Sequence, residues 1–275
     1  MRQRIISVRG LSIEAYESDS KGPLVFLLHG NSSSAQSFNG LLGSRLGSDY
    51  RLVSLSLPGH GASGVSRSPD ADYAVAGLAE TAAHVVRHYG EPAFALIGHS
   101  LGGHVWTEAL AALPEAKGLV LISAPPLSLA SLGAAYKPDP VGGALFRGEL
   151  SDGDVDAMAG ALLGKARADA AVRATLERDL RRTDVAFRPA LGKSLMEGRL
   201  GDAVKVAAES TVPLAMLWGA EDPFLQPAYS EGARLGRSLA GGKFAFGSAG
   251  HSVHLEEPGR VSDLLGTLLR EAFHA

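Results

Sequence analysis

The chain contains no cysteine, so disulfide staples and thiolate metal sites are excluded. It has no apolar run approaching the ~20 residues of a membrane span. The N-terminal stretch Met1-Arg2-Gln3-Arg4-Ile5-Ile6-Ser7-Val8-Arg9 holds too short an apolar segment for a secretory signal. A cytoplasmic protein without a membrane partner is the expectation. There is no basic block, and the formal net charge is -3, so nucleic acid is not an expected partner. Internal repeats and low-complexity segments are absent. No metal set is expected from the histidines; His99 and His104, which flank the glycine-rich turn, are five apart. The glycine-rich turn near residue 100 lacks the lysine of a phosphate-binding loop. No cofactor is expected.

What is present is the material of one α/β protein. The 275 residues are 45% hydrophobic and 20% charged. Residues 4–9 and 11–17 read as a hairpin around Gly10. Leu24-Val25-Phe26-Leu27-Leu28 is a continuous apolar run, as expected of a parallel strand buried on both faces. Further strands are expected at Arg51–Leu57, Pro92–Ile97, Gly118–Ser123, Val212–Trp218 and Lys243–Phe246. Helical spacing is read near 35–46, 74–89, 100–113, 226–239 and 258–272. Alternation at this spacing predicts a doubly wound, mostly parallel sheet of about eight strands. The stretch 127–210 interrupts it, where a crossover needs only about a dozen residues. Its helical patterns are Val155, Met158, Ala159, Leu162, Leu163, and Val172, Leu176, Leu180. Arg173, Glu177, Arg178, Asp179, Arg181 and Arg182 stand on the other face of the second. The expected organisation is a core of 1–126 and 211–275 with a helical cap over 127–210.

The chemistry gathers at strand ends, where ligands of such sheets bind. Gly98-His99-Ser100-Leu101-Gly102 satisfies Gly-x-Ser-x-Gly between a strand and a helix, which lifts a serine hydroxyl out of the sheet. That hydroxyl needs a base, and the base needs an orienting acid. Of nine histidines, His251 is the expected base, in a glycine-rich loop after the last strand. His254 is its competitor. Asp222, at the end of the preceding strand and just before Pro223, is the expected acid, with Glu221 beside it. The oxyanion donors are expected to be the N–H groups of Leu101 and Asn31. The Asn31 side chain is read as a further donor, a substrate contact, or a helix-capping or loop asparagine. His29 and His60 are read as scaffold, and His104 as a packing or surface residue, with a place facing the cap cavity as the alternative.

These motifs resemble the α/β-hydrolase fold over nearly the whole chain: His29-Gly30-Asn31, Leu57-Pro58-Gly59-His60-Gly61-Ala62-Ser63, Gly98 to Gly103, Trp218 to Pro223, and Gly250-His251. His-Gly-Asn-Ser-Ser-Ser at 29–34, Ser-Leu-Gly-Gly-His at 100–104, Ser-Ala-Pro-Pro at 123–126 and the acidic pair before Pro223-Phe224 are similar to the metal-independent N-acyl-homoserine lactonases of that fold. The resemblance implies lactone ring opening through an acyl-enzyme on Ser100, with the cap taking the acyl chain. It places Gly30 and Met158 against substrate, Met158 standing where the lactonase has a tyrosine. The partner implied is a small-molecule ester or lactone, and the expected assembly is a monomer or homodimer. The alternatives are a general carboxylesterase, a cofactor-free dioxygenase of the same fold, and a non-catalytic receptor. An epoxide hydrolase or dehalogenase is disfavoured, because the resemblance would then require aspartate in place of Ser100.

Overall fold

The computed structural model describes residues 1–164 and 169–274. Eight strands make one sheet: β1 (Arg2–Val8), β2 (Leu11–Glu17), β3 (Leu24–Leu28), β4 (Arg51–Leu55), β5 (Phe94–His99), β6 (Ala116–Ile122), β7 (Leu214–Gly219) and β8 (Ser238–Phe246). Their order is β1-β2-β4-β3-β5-β6-β7-β8. Only the pairings β1/β2 and β2/β4 are antiparallel. The sheet of the expected class is therefore present.

Every residue of β3, β5 and β7 is buried, because both faces of the sheet are covered. Alternate residues serve opposite layers. Leu24, Phe26, Leu28 and Leu96 pack with the helices Val75–Tyr89 and Leu101–Ala109. Val25, Leu27, Ala95 and Ile97 pack with Phe38–Leu46 and the helix Pro258–His274. That last helix buries Val261, Leu265, Leu268 and Leu269 at full depth. Each such side chain contributes about 1.5–3 kcal/mol of transfer free energy.

Two helices differ from the expectation. The 35–46 element is broken into a 3₁₀ turn, Ala35–Phe38, and short helices Asn39–Leu42 and Arg45–Asp49, with Ser44 recapping the last by accepting from the Leu46 N–H. The 226–239 helix stops at Gly232, and the strand expected at Lys243–Phe246 begins earlier, at Ser238, as the edge strand β8 paired with β7.

Between β6 and β7 the chain is helical: Asp152–Leu163, Ala170–Arg182, Phe187–Met196 and Ala203–Glu209. The first two form their own apolar cluster through Val155, Met158, Leu162, Leu176 and Leu180, joined by Phe224 from the turn after β7. Phe187, Ala190, Leu191 and Ala207 of the last two join the layer on the sheet. No described helix is long and apolar enough to cross a membrane.

Candidate active site

β5 ends in a turn whose tightness explains its glycines. A Cβ on Gly98 would lie 2.5 Å from the backbone of Gly102 and Gly103, and one on Gly102 would lie 2.1 Å from the Leu28 carbonyl. Helix and strand touch backbone to backbone, which only glycine allows. The apex residue, Ser100, is held at φ 50, ψ -119, a costly conformation for a residue with a Cβ. Its side chain does not cap its own helix. It is turned to His251, whose Nε2 lies 2.9 Å from Ser100 Oγ.

The other ring nitrogen of His251, Nδ1, lies 2.7 Å from Asp222 Oδ2. Asp222 Oδ1 accepts the backbone N–H groups of Phe224 at 2.8 Å and Leu225 at 3.2 Å. Burial alone would raise the Asp222 carboxyl. The histidine's charge and these hydrogen bonds outweigh it and hold the group below the ordinary carboxylate value. With Asp222 accepting at Nδ1, the neutral ring leaves Nε2 free to take a proton from Ser100.

The strand-end loop His29–Ser34 lies against this pair. A Cβ on Gly30 would meet Ser100 Cβ at 3.1 Å and His99 Nδ1 at 3.0 Å, so this glycine lets the loop approach the serine. The backbone N–H groups of Asn31 and Leu101 have no intramolecular acceptor among the described residues. Both residues, with Gly30, Ser100 and His251, line a cavity of about 590 Å³. Its remaining wall is mostly apolar, including Leu127, Leu132, Leu145, Phe146, Leu191 and Leu195.

Four readings are refined or corrected. Met158 is fully buried in the apolar cluster of its own helices and is not on the cavity wall, because the helical spacing that marked it also points it at Val155 and Leu162. Asp179, read with the charged residues on the face opposite Leu176 and Leu180, is only 3% exposed and takes the hydroxyl of Ser34 at 2.5 Å. The Asn31 side chain is a brace: Nδ2 donates to the Leu145 carbonyl, and Oδ1 accepts from Ser32 Oγ. His104 faces the cavity, where burial depresses it to about 4.

The scaffold histidines are as expected. His29 Nε2 accepts from the Leu57 N–H at 2.9 Å, and Nδ1 donates to the Gly30 carbonyl at 2.7 Å. His60 Nε2 accepts from the Ser32 N–H at 3.2 Å. Burial pushes His29 down to about 4 and holds His60 well below the ordinary histidine value. His254 is buried between Phe38 and His99, and burial lowers it to about 3.

Two supports were not foreseen from sequence. His99 Nε2 donates to the His251 carbonyl at 3.1 Å. Glu256 accepts the Gly250 N–H at 2.9 Å, one residue before His251, and burial raises its carboxyl to about 7. His99 was visible only as a neighbour of the serine; Glu256 carried no spacing signal.

The chain is similar to several known proteins. A crystal structure of the N-acyl homoserine lactonase AidH, in complex with N-hexanoyl homoserine lactone, superposes with a TM-score of 0.93 at 26% identity, covering 99% of this chain and 98% of that one. Protein phosphatase methylesterase 1 of Mus musculus is 37% identical over 119 residues, 40% of this chain and 30% of that protein. Epoxide hydrolase B of Mycobacterium tuberculosis is 34% identical over 126 residues, 44% of this chain and 35% of that protein. The chain thus matches about a third of the length of these curated relatives. The model of the alpha/beta hydrolase family matches residues 25–264, and the chain belongs to that family.

Proposed function

We propose that the protein is a serine hydrolase of carboxylic esters and lactones, and that N-acyl homoserine lactones are its substrates. One observation carries the reading: the hydrogen-bonded series Ser100–His251–Asp222, at 2.9 and 2.7 Å, opens at the floor of an apolar cavity. Close structural likeness to a lactonase narrows the substrate class. Ser100 attacks the lactone carbonyl while His251 takes its proton. The N–H groups of Asn31 and Leu101 hold the oxyanion. The ring C–O bond breaks as His251 returns the proton to the ring oxygen, which stays tethered as the γ-hydroxyl of an N-acyl-homoseryl ester on Ser100. Water, deprotonated by His251, then releases the ring-opened acid. Asp222 keeps the imidazole in the required tautomer and balances its charge. Segment 127–210 acts as a cap, supplying the apolar wall that takes the acyl chain. The chemistry needs no cofactor.

The reading is tested by incubating N-acyl homoserine lactones of several chain lengths and weighing the products. A product heavier by one water supports ring opening. Unchanged lactone alongside cleaved p-nitrophenyl esters reduces the protein to a carboxylesterase. Failure of both, with oxygen uptake on a hydroxyquinolone, replaces it with the dioxygenase.

A further inference from the structure

Four polar residues, Asn31–Ser34, follow Gly30, and two of their serines are tied to buried charges of the cap. Ser32 Oγ accepts from Arg188 Nη1 at 2.9 Å and donates to Asn31 Oδ1 at 2.8 Å. Asn31 Nδ2 donates to the Leu145 carbonyl at 3.0 Å. Ser34 Oγ donates to Asp179 Oδ2. Arg188 and Asp179 are 2% and 3% exposed, yet they do not pair with each other. Arg178 takes the second oxygen of Asp179. Among the described residues no carboxylate lies within 4.0 Å of the Arg188 guanidinium. Its other donors go to the carbonyls of Arg147, Gly148 and Leu180.

A buried cation without a counterion is an expensive way to fill space. The Leu180 carbonyl, in the last turn of Ala170–Arg182, offsets part of that cost through the negative end of the helix. A packing role would be met more cheaply by an apolar side chain. What the guanidinium adds is a fixed donor at Ser32. Ser32 itself sits at φ 60, which a serine does not hold unless its surroundings impose it. His60 pins its N–H and Arg188 its hydroxyl. The adjoining peptide carries the Asn31 N–H.

We propose that Arg188 and Asp179 are positioning residues of the oxyanion hole. Acting through Ser32 and Ser34, they fix the peptide that presents the Asn31 N–H, so the hole is assembled by the seated cap. This inference rests on the Ser100 chemistry proposed above. Its effect falls on the oxyanion and not on the bound ester, so it is felt in kcat and not in KM.

The test uses the full chain with Ser32→Ala, Ser34→Ala and Arg188→Lys, each checked for an intact unfolding transition. Labelling of Ser100 by a fluorophosphonate is read first. Then kcat and KM are measured on p-nitrophenyl butyrate, with the Ki of a trifluoromethyl ketone that forms a tetrahedral oxyanion on the serine. Ser32→Ala is expected to lower kcat about ten- to hundredfold, to leave KM within about twofold, and to weaken the ketone by the same factor as kcat. Arg188→Lys is expected to fall between it and the wild type, because the ammonium keeps the charge but loses the fork. A labelled wild type with kcat and ketone affinity unchanged in Ser32→Ala overturns this inference alone. So does a raised KM with kcat unchanged. A wild type that the fluorophosphonate does not label overturns the serine chemistry and this inference with it.

Discussion

Asp222 offers His251 one carboxylate oxygen only; Oδ2 meets Nδ1 at 2.7 Å, and Oδ1 is occupied by the N–H groups of Phe224 and Leu225. Both oxygens must therefore accept. Asn in place of Asp has a single acceptor, so it must either lose the backbone bonds or present N–H to Nδ1 and force the wrong tautomer. Asp222→Asn is expected to lower kcat by about 10⁴, the order known for this exchange in a serine protease. Steady-state rates on a p-nitrophenyl ester check it. A loss below tenfold would show that His251 does not depend on this carboxylate.

Ser100 carries a conformation at φ 50 that alanine keeps and glycine relieves. Both substitutions remove the nucleophile and should cost on the order of 10⁶ in kcat. Ser100→Gly should nevertheless be more stable than Ser100→Ala by about 1 kcal/mol. Urea unfolding of the two inactive variants, side by side, measures the difference; equal stabilities would mean the turn is not strained.

Acid should unfold the protein over an unusually narrow range. Unfolded histidine binds a proton near pH 6.5. His29, His60, His99 and His254, all buried, take theirs only well below that, His29 at about 4 and His254 at about 3. Between those values the unfolded chain holds more protons, so stability falls as pH drops. Glu256 opposes them: raised to about 7, it binds its proton earlier in the fold than in the unfolded chain. With His104, depressed to about 4, as a fifth histidine, the net uptake on unfolding near pH 5 should be about four protons, or roughly 5 kcal/mol per pH unit. Unfolding free energies at pH 6.0, 5.5 and 5.0 give this slope directly.

Glu256→Gln isolates the opposing group. Stability associated with a raised carboxyl is present below about pH 4.5 and lost as pH rises through about 7. Glutamine keeps the acceptor for the Gly250 N–H and cannot ionise. The variant should gain on the order of 1 kcal/mol at pH 8, after screening at this half-buried site, and nothing at pH 4. A gain that is equal at both pH values would assign the effect to packing instead.

Met158 belongs to the cluster with Val155 and Leu162. Met158→Leu should leave KM and acyl-chain preference unchanged and cost less than about 1.5 kcal/mol. Met158→Ala should cost about 2–5 kcal/mol through the space it opens. A shift in chain-length preference in the leucine variant would put this side chain back against substrate.

The parts of the fold that were legible in the sequence are those governed by short-range rules. Leu24–Leu28 needed no polar alternation because both its faces are covered, and Gly98 and Gly102 were needed because backbones touch there. Ser100, His251 and Asp222 are expectations of the same kind: each follows a strand that the apolar pattern defines, and the structure brings all three within hydrogen-bond reach. Helical periodicity, by contrast, says which face is apolar and not what covers it. Asp179, placed with the charges of its helix, is buried against Ser34, and Met158, which the resemblance set against substrate, packs within its own apolar cluster. Arg188 had no local signal, since its main side-chain partner, Ser32, is 156 positions away.

The position of β3 in the middle of the sheet, third in the chain, has a consequence for synthesis. Gly98 must pair with Leu28 and Leu121, and the Ser100 N–H must reach the Ile122 carbonyl, before the turn can hold its shape. The base arrives later still, more than a hundred residues after the serine. A chain emerging from the ribosome therefore presents Ser100 without His251 beside it until the loop carrying His251 is made. On the chemistry proposed above, the hydroxyl gains its base only once that loop has docked.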